Sequence, residues 1–110
     1  MITALVATAL PQIRSLCARQ GVQRMSLFGS ATTDRFSPET SDVDFLVRFL
    51  DDDTPDFADR YFNLMEELAR TLHRPVDLVT EDSIRNPIFR QIVEKSKVLI
   101  YDTPITKISY

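Results

Sequence analysis

The spacing of apolar residues divides this chain into alternating helical and extended segments. Apolar positions recur at steps of three and four through residues 2–17, 57–72 and 87–95, which is the period of an amphipathic helix. Four short apolar runs instead have the length of strands, and they cover residues 25–28, 43–49, 76–79 and 98–101. The resulting order, α-β-β-α-β-α-β, predicts an α/β (α+β) domain: a small mixed β-sheet of about four strands with helices packed on one side.

Several polar and proline residues fall at the predicted helix boundaries. Pro11 lies inside the first helix, where a proline costs about 3 kcal/mol, so a kink or a restart of the helix is expected there. Thr54 and Pro55 suit the cap and the first position of the middle helix. The acidic run at residues 51–53 suits the positive end of that helix, which favours a structural role over metal binding. His73, the only histidine, is expected to interact with the last carbonyls of that helix rather than to act as a general base.

Length and composition restrict the class of protein. With 110 residues and 44% hydrophobic residues, the chain is expected to form one domain, residues 1–110, with 103–110 as a loose tail. The net charge of −3 argues against direct nucleic-acid binding, which normally needs a basic stripe. The single Cys17 suits the hydrophobic core or its boundary. Neither a signal peptide nor a membrane-spanning apolar run is found, so a soluble, cytoplasmic protein without membrane contact is expected.

The most informative polar residues lie at the ends of two predicted strands. Asp42 and Asp44 flank Val43 at the start of the second strand, and alternate side chains of a strand point the same way, roughly 6–7 Å apart. Two carboxylates this close repel each other, and a divalent cation between them removes the repulsion. Gly29 and Ser30 follow the first strand, where backbone amides and a hydroxyl can bind an anion. Together these residues indicate a site for Mg²⁺ and a triphosphate.

The order of these motifs resembles that of a known enzyme family. Gly29-Ser30, an interval of eleven residues, and then Asp42-Val43-Asp44 is similar to the signature of the polymerase-β-like nucleotidyltransferases. The short chain resembles the minimal nucleotidyltransferase (MNT) group, whose members are often antitoxins paired with HEPN-domain toxins. The resemblance covers nearly the whole chain and implies the polymerase-β-like nucleotidyltransferase fold. It also implies a third carboxylate on the late strand, where this chain has Asp77.

What the resemblance implies about function is nucleotidyl transfer with ATP as the donor. Asp42, Asp44 and Asp77 would be the catalytic carboxylates and the ligands of two Mg²⁺ ions, and Asp77 would help to deprotonate the attacking hydroxyl. Gly29 and Ser30 would hold the terminal phosphates. The acceptor would be a hydroxyl, expected to be a tyrosine, of a cognate HEPN RNase toxin, which the transferred AMP would neutralise. For Asp77, a position on the solvent face of the sheet is the alternative.

The loop after Gly29-Ser30 departs from the family pattern. The usual loop has an Arg-Gly pair, whereas residues 31–35 read Ala-Thr-Thr-Asp-Arg and the interval before Asp42 is one residue longer. Arg35 is the candidate replacement for the missing phosphate-binding arginine, with an ordinary surface arginine as the alternative. Two further functions therefore stay open: an antitoxin that neutralises its toxin by contact with little or no catalysis, and a small-molecule nucleotidyltransferase of the aminoglycoside-modifying type.

Overall fold

The order of helices and strands predicted from the sequence is confirmed. The computed structural model describes residues 3–32 and 42–103. Their helices and strands are α1 (Ala4–Arg19), β1 (Val22–Phe28), β2 (Val43–Phe49), α2 (Phe57–Leu72), β3 (Val76–Thr80), α3 (Pro87–Ser96) and β4 (Val98–Asp102). Two short 3₁₀ turns, Gly29–Thr32 and Glu81–Ser83, follow β1 and β3. No helix in the two described ranges is long and apolar enough to cross a membrane. Nearly all of the predicted tail, from residue 104 onward, lies outside those ranges.

The four strands form one mixed sheet in the order β3-β2-β1-β4. β1 pairs antiparallel with both β2 and β4. β2 runs parallel to β3, and α2 makes the crossover connection that a parallel pair needs. The predicted α+β class with a mixed sheet of four strands is therefore confirmed.

One face of the sheet carries the main hydrophobic core. The odd-numbered residues of β2, from Val43 to Phe49, are buried against α1 and α2, as the alternation of a strand requires. Both helices contribute buried residues at helical spacing, namely Val6, Ile13, Leu16, Cys17, Leu64, Leu68 and Leu72. Burial raises the pKa of the Cys17 thiol to about 12, in agreement with its predicted place in the core.

The other face of the sheet is covered in part by α3. Phe28 of β1, Leu46 of β2 and Val93 of α3 form a second, smaller apolar cluster together with Ile84. The prediction that helices pack on one side of the sheet holds for α1 and α2, whereas α3 lies on the opposite side. The reason is that the even-numbered positions of β2 bring one apolar side chain, Leu46, to this face, and Val93 packs on it.

The helix boundaries agree with the sequence at one position and differ at two. α1 continues through the exposed Pro11, so the predicted restart of the helix does not occur. α2 begins at Phe57 with Asp56 as its N-terminal cap residue, and not at Thr54. The Thr54 hydroxyl instead donates to Asp56 Oδ1 at 2.5 Å, in the turn before the helix. His73 ends α2 in the left-handed conformation with φ 55°, at the C-terminal position predicted for it.

In each of the two edge strands, one backbone carbonyl accepts a hydrogen bond from a helix side chain. The Tyr61 hydroxyl donates to the Leu78 carbonyl of β3 at 2.5 Å. Arg14 Nε donates to the Ile100 carbonyl of β4 at 3.0 Å. These bonds tie α2 and α1 to opposite edges of the sheet.

Candidate active site

Three aspartates lie at one end of β2 and β3. Asp42 immediately precedes β2, Asp44 is the second residue of β2, and Asp77 is the second residue of β3. The parallel pairing places Asp44 opposite Asp77, and directly opposed residues of neighbouring strands point to the same face. Asp44 and Asp77 therefore share the face that carries α3, and Asp42 lies close enough for its charge to act on Asp44.

The acidity of Asp44 reflects this crowding of negative charge. Partial burial, then the charge of Asp77, and then that of Asp42 raise the pKa of Asp44 from 3.8 to about 6. The ionised form is thus held at a free-energy cost that a nearby cation would offset. Carboxylate oxygens are hard ligands, and Mg²⁺ is typically bound by one or two carboxylates together with phosphate oxygens. The residues present fit the metal that the sequence implies.

Gly29 places the backbone of the first turn directly against Asp44. Gly29 has a positive φ of 76°, which disfavours any residue with a side chain. A Cβ at this position would also overlap Asp44 Oδ2. The preceding residue, Phe28, pairs with Asp44 across the sheet, and the Thr32 hydroxyl closes the turn by donating to the Gly29 carbonyl at 2.8 Å. The turn predicted at Gly29-Ser30 and the Asp44 carboxylate are therefore neighbours.

Ser30 and Arg35 are the other two residues predicted to bind phosphate. Ser30 is the second residue of the Gly29–Thr32 turn, directly after the glycine that lies against Asp44. Arg35 lies outside the described residues, and its role stays a prediction.

Tyr61 is a neighbour of the site that the sequence did not reveal. Its hydroxyl is bonded to the carbonyl of Leu78, the residue after Asp77. Burial, and then the charge of Asp77, raise the pKa of Tyr61, so the two side chains lie within electrostatic reach of each other. Because the hydroxyl proton is used in the bond to β3, Tyr61 holds the strand that carries Asp77. The apolar stripe of α2 predicted Tyr61 only as a core residue.

An ion-pair network lies at the opposite end of the same sheet face. Arg24 donates from Nε and Nη2 to the carboxylate of Glu81 at 2.7 and 2.8 Å, and Arg48 Nη1 lies 3.4 Å from Asp82. The hydrogen bond from Arg24 is the main cause of the lowered pKa of Glu81. The network anchors the segment that leads from β3 to α3. Since Arg24 and Glu81 are 57 residues apart in sequence, no local pattern could have revealed the pair.

The acidic run at residues 51–53 does not join the site. Its carboxylate oxygens lie within 4.8 Å of one another and are exposed. The run follows β2, whereas Asp42 and Asp44 lie at the start of this seven-residue strand, roughly 20 Å away. Asp51 Oδ1 accepts from the Asp53 amide at 3.0 Å, and the Asp51 carbonyl accepts from Arg60 at 2.6 Å. These contacts support a structural role.

Comparison with known proteins agrees with this geometry. The model of the polymerase beta nucleotidyltransferase family matches residues 11–104. A Methanocaldococcus jannaschii protein, named as a protein adenylyltransferase, is 34% identical over 79 residues, which are 72% of this chain and 77% of that protein. A solved structure described as a minimal nucleotidyltransferase has a TM-score of 0.71 at 30% identity and covers 89% of this chain and 95% of that chain. A structure of the toxin–antitoxin pair MntA–HepT has a TM-score of 0.60 at 26% identity, with coverages of 88% and 73%.

The fold and the cluster of strand-borne carboxylates beside a glycine turn define a nucleotidyltransferase. The family model matches most of the chain, so the chain belongs to the polymerase-β nucleotidyltransferase family. The fold family and the class of enzyme expected from the sequence are thereby confirmed.

We expect Asp44→Asn to stabilise the metal-free protein at neutral pH. The folded-state pKa of Asp44, about 6, lies above its ordinary value of 3.8. Ionising Asp44 therefore destabilises the fold, and the loss grows as the pH rises from about 4 to about 6 and then stays constant. In EDTA, the thermal midpoint of Asp44→Asn should exceed that of the parent protein at about pH 7.5 and match it near pH 4.

Asp52→Asn is the matched control, because it removes a carboxylate from the exposed loop and changes the net charge equally. A midpoint of Asp44→Asn well below that of the parent protein at about pH 7.5 would make Asp44 a structural residue and contradict its place in the site.

Proposed function

We propose that this chain is an antitoxin that transfers AMP from ATP to a hydroxyl, expected to be a tyrosine hydroxyl, of a cognate HEPN-domain RNase toxin. The observation that carries the proposal is the register that sets Asp44 beside Asp77 and against Gly29. The name of the Methanocaldococcus jannaschii relative supports protein adenylylation. The toxin–antitoxin pair among the similar structures supports an antitoxin, and the MNT-like motifs of the sequence support a HEPN protein as its partner in the cytoplasm.

Each site residue has a role in this proposal. Asp42, Asp44 and Asp77 would hold two Mg²⁺ ions, and bound metal would supply positive charge that stabilises the triphosphate and the pyrophosphate leaving group. The backbone amides after Gly29 and the hydroxyl of Ser30 bind the terminal phosphates. Asp77 accepts the proton of the acceptor hydroxyl. The hydroxyl oxygen forms a bond to the α-phosphorus of ATP, and the bond from that phosphorus to pyrophosphate breaks.

The exposure of the carboxylates supports an acceptor as large as a protein. Asp42 and Asp77 are exposed, and Asp44 is half-buried between them. A hydroxyl on the surface of another protein can therefore approach Asp77 from solvent without opening the fold. Arg35 is retained as the candidate for an additional phosphate contact.

The direct test is to incubate the purified chain with its cognate HEPN protein, labelled ATP and Mg²⁺. We expect label on the HEPN protein and loss of its RNase activity. The double variant Asp42→Ala/Asp44→Ala should transfer no label, and its thermal midpoint in EDTA should not fall below that of the parent chain, because the two carboxylates repel each other without metal. Neutralisation by the parent chain without any label would contradict the proposed transfer and support an antitoxin that acts by contact.

Asp77→Asn should separate nucleotide binding from transfer. Asp42 and Asp44 remain in that variant, so most of the affinity for ATP with Mg²⁺ should be kept. Loss of the proton acceptor should slow transfer about 10²–10⁴-fold, the range typical of a general base. Isothermal titration and single-turnover transfer measure the two effects, with the exposed Asp59→Asn as control. An equal loss of binding and transfer would make Asp77 a metal ligand alone, and no effect on either would remove it from the site.

The loop without the family's Arg-Gly pair gives the second candidate function, a weakly catalytic antitoxin. Thr33→Arg with Asp34→Gly restores the pair, and a charge-assisted hydrogen bond to phosphate is worth about 1.5–3 kcal/mol. If the natural loop is impaired, the double variant should bind ATP at least about tenfold more tightly. If Arg35 already makes the contact, the double variant should be nearly neutral and Arg35→Ala should weaken binding by that factor. Unchanged ATP affinity in both variants would mean that this loop does not bind the phosphates.

A further inference from the structure

The solvent-facing side of α3 carries three large apolar side chains. Ile88, Phe89 and Ile92 are 68%, 38% and 57% exposed, and Val93 is the buried residue of the helix. Residues one turn apart on a helix are neighbours, so the three exposed side chains form one patch. Monomeric proteins rarely leave such contiguous apolar patches free, and these often mark protein interaction sites.

The patch adjoins the nucleotidyltransferase site. The ring of Phe89 packs edge-on against Phe28, with 6.1 Å between the ring centroids. Phe28 immediately precedes Gly29 and pairs with Asp44. The helix also contacts the Gly29–Thr32 turn. A protein seated on α3 would therefore reach the carboxylates without any change in the fold.

The charges around the patch indicate the chemistry of its partner. Residues 85–97 contain four basic side chains and one acidic side chain, whereas the whole chain has a net charge of −3. Of the basic groups, Lys97 is paired with Glu94 at 2.9 Å and Arg90 donates to the Ile84 carbonyl at 2.7 Å, while Arg85 and Lys95 are exposed. An apolar patch with a basic rim fits an apolar surface with an acidic rim.

The same charges argue against a second copy of this chain as the occupant. A symmetric dimer brings identical patches together, so the basic rim would face another basic rim. Like-charge contacts of this kind oppose association.

We propose that Ile88, Phe89 and Ile92 dock the protein that accepts the nucleotide, through an apolar surface rimmed by aspartate or glutamate. Docking there places the acceptor hydroxyl at Asp77. This inference rests on the proposed function for the identity of the acceptor, but binding to the patch is measurable without any transfer.

Ile92→Asp tests the docking surface, with Leu50→Asp as the matched control. Leu50 is 52% exposed and follows the far end of β2. We expect Ile92→Asp to weaken binding of the HEPN protein at least tenfold in titration calorimetry and to slow transfer to it by a similar factor. ATP binding and the thermal midpoint should stay unchanged. The control should match the parent chain in every assay. Arg85→Glu with Lys95→Glu should lower the association rate and its dependence on salt.

The outcomes separate the inference from the proposed function. Parent-level binding and transfer by Ile92→Asp would overturn the docking surface and leave the proposed function intact. A second outcome is that the parent chain binds the HEPN protein without transferring label to it. If Ile92→Asp then abolishes that binding, the docking surface is supported and the proposed transfer is contradicted. If the parent chain forms a dimer that Ile92→Asp dissociates, the inference is overturned in favour of self-association. If the parent chain binds phosphatidylserine vesicles and the variant does not, the inference is overturned in favour of a membrane surface.

Discussion

The pairing register of β2 with its two neighbours is the constraint on which both the core and the site depend. Strand alternation sends Val43 and Phe45 into the main core and Asp44 to the opposite face. A slip of one residue would exchange these positions and bury a carboxylate among apolar side chains. The same register sets Asp44 opposite Phe28 on one side and Asp77 on the other. Burial of the odd-numbered residues thus fixes the geometry of the even-numbered ones.

The site itself opposes folding. Asp44 is ionised at neutral pH although its burial and the charges of Asp42 and Asp77 disfavour that form. Gly29 restricts the sequence at the site, because its positive φ is strained for other residues and the Asp44 carboxylate occupies the space of a Cβ. The free energy that holds the charges together comes from the apolar residues of β2, α1 and α2. The main core and the candidate site therefore lie on opposite faces of one sheet.

Most of the fold and the acidic part of the site could be predicted from the sequence because they follow from local periodicity. The alternation around Val43 placed Asp42 and Asp44, and the helical stripe at 57–72 placed α2 to within its observed bounds. The parallel pairing of β2 with β3 depends on topology and was not predicted; the resemblance alone implied that the carboxylate of Asp77 belongs with those of Asp42 and Asp44. The position of α3 was missed because it depends on long-range contacts such as the packing of Val93 with Leu46. Only the N-terminal cap of α2 was misplaced, because Asp56 and not Thr54 holds that position.

The hydrogen bonds at the two edges of the sheet have a consequence for handling the protein at high concentration. An open edge strand offers a row of amide and carbonyl groups on which a strand of another molecule can assemble. Leu78 and Ile100 are the middle residues of the two five-residue edge strands, and their carbonyls are already bonded to Tyr61 and Arg14. An incoming strand would meet an occupied acceptor and a side chain at the centre of either edge. The helices that cover the core thus also hinder strand-to-strand association at both edges of the sheet.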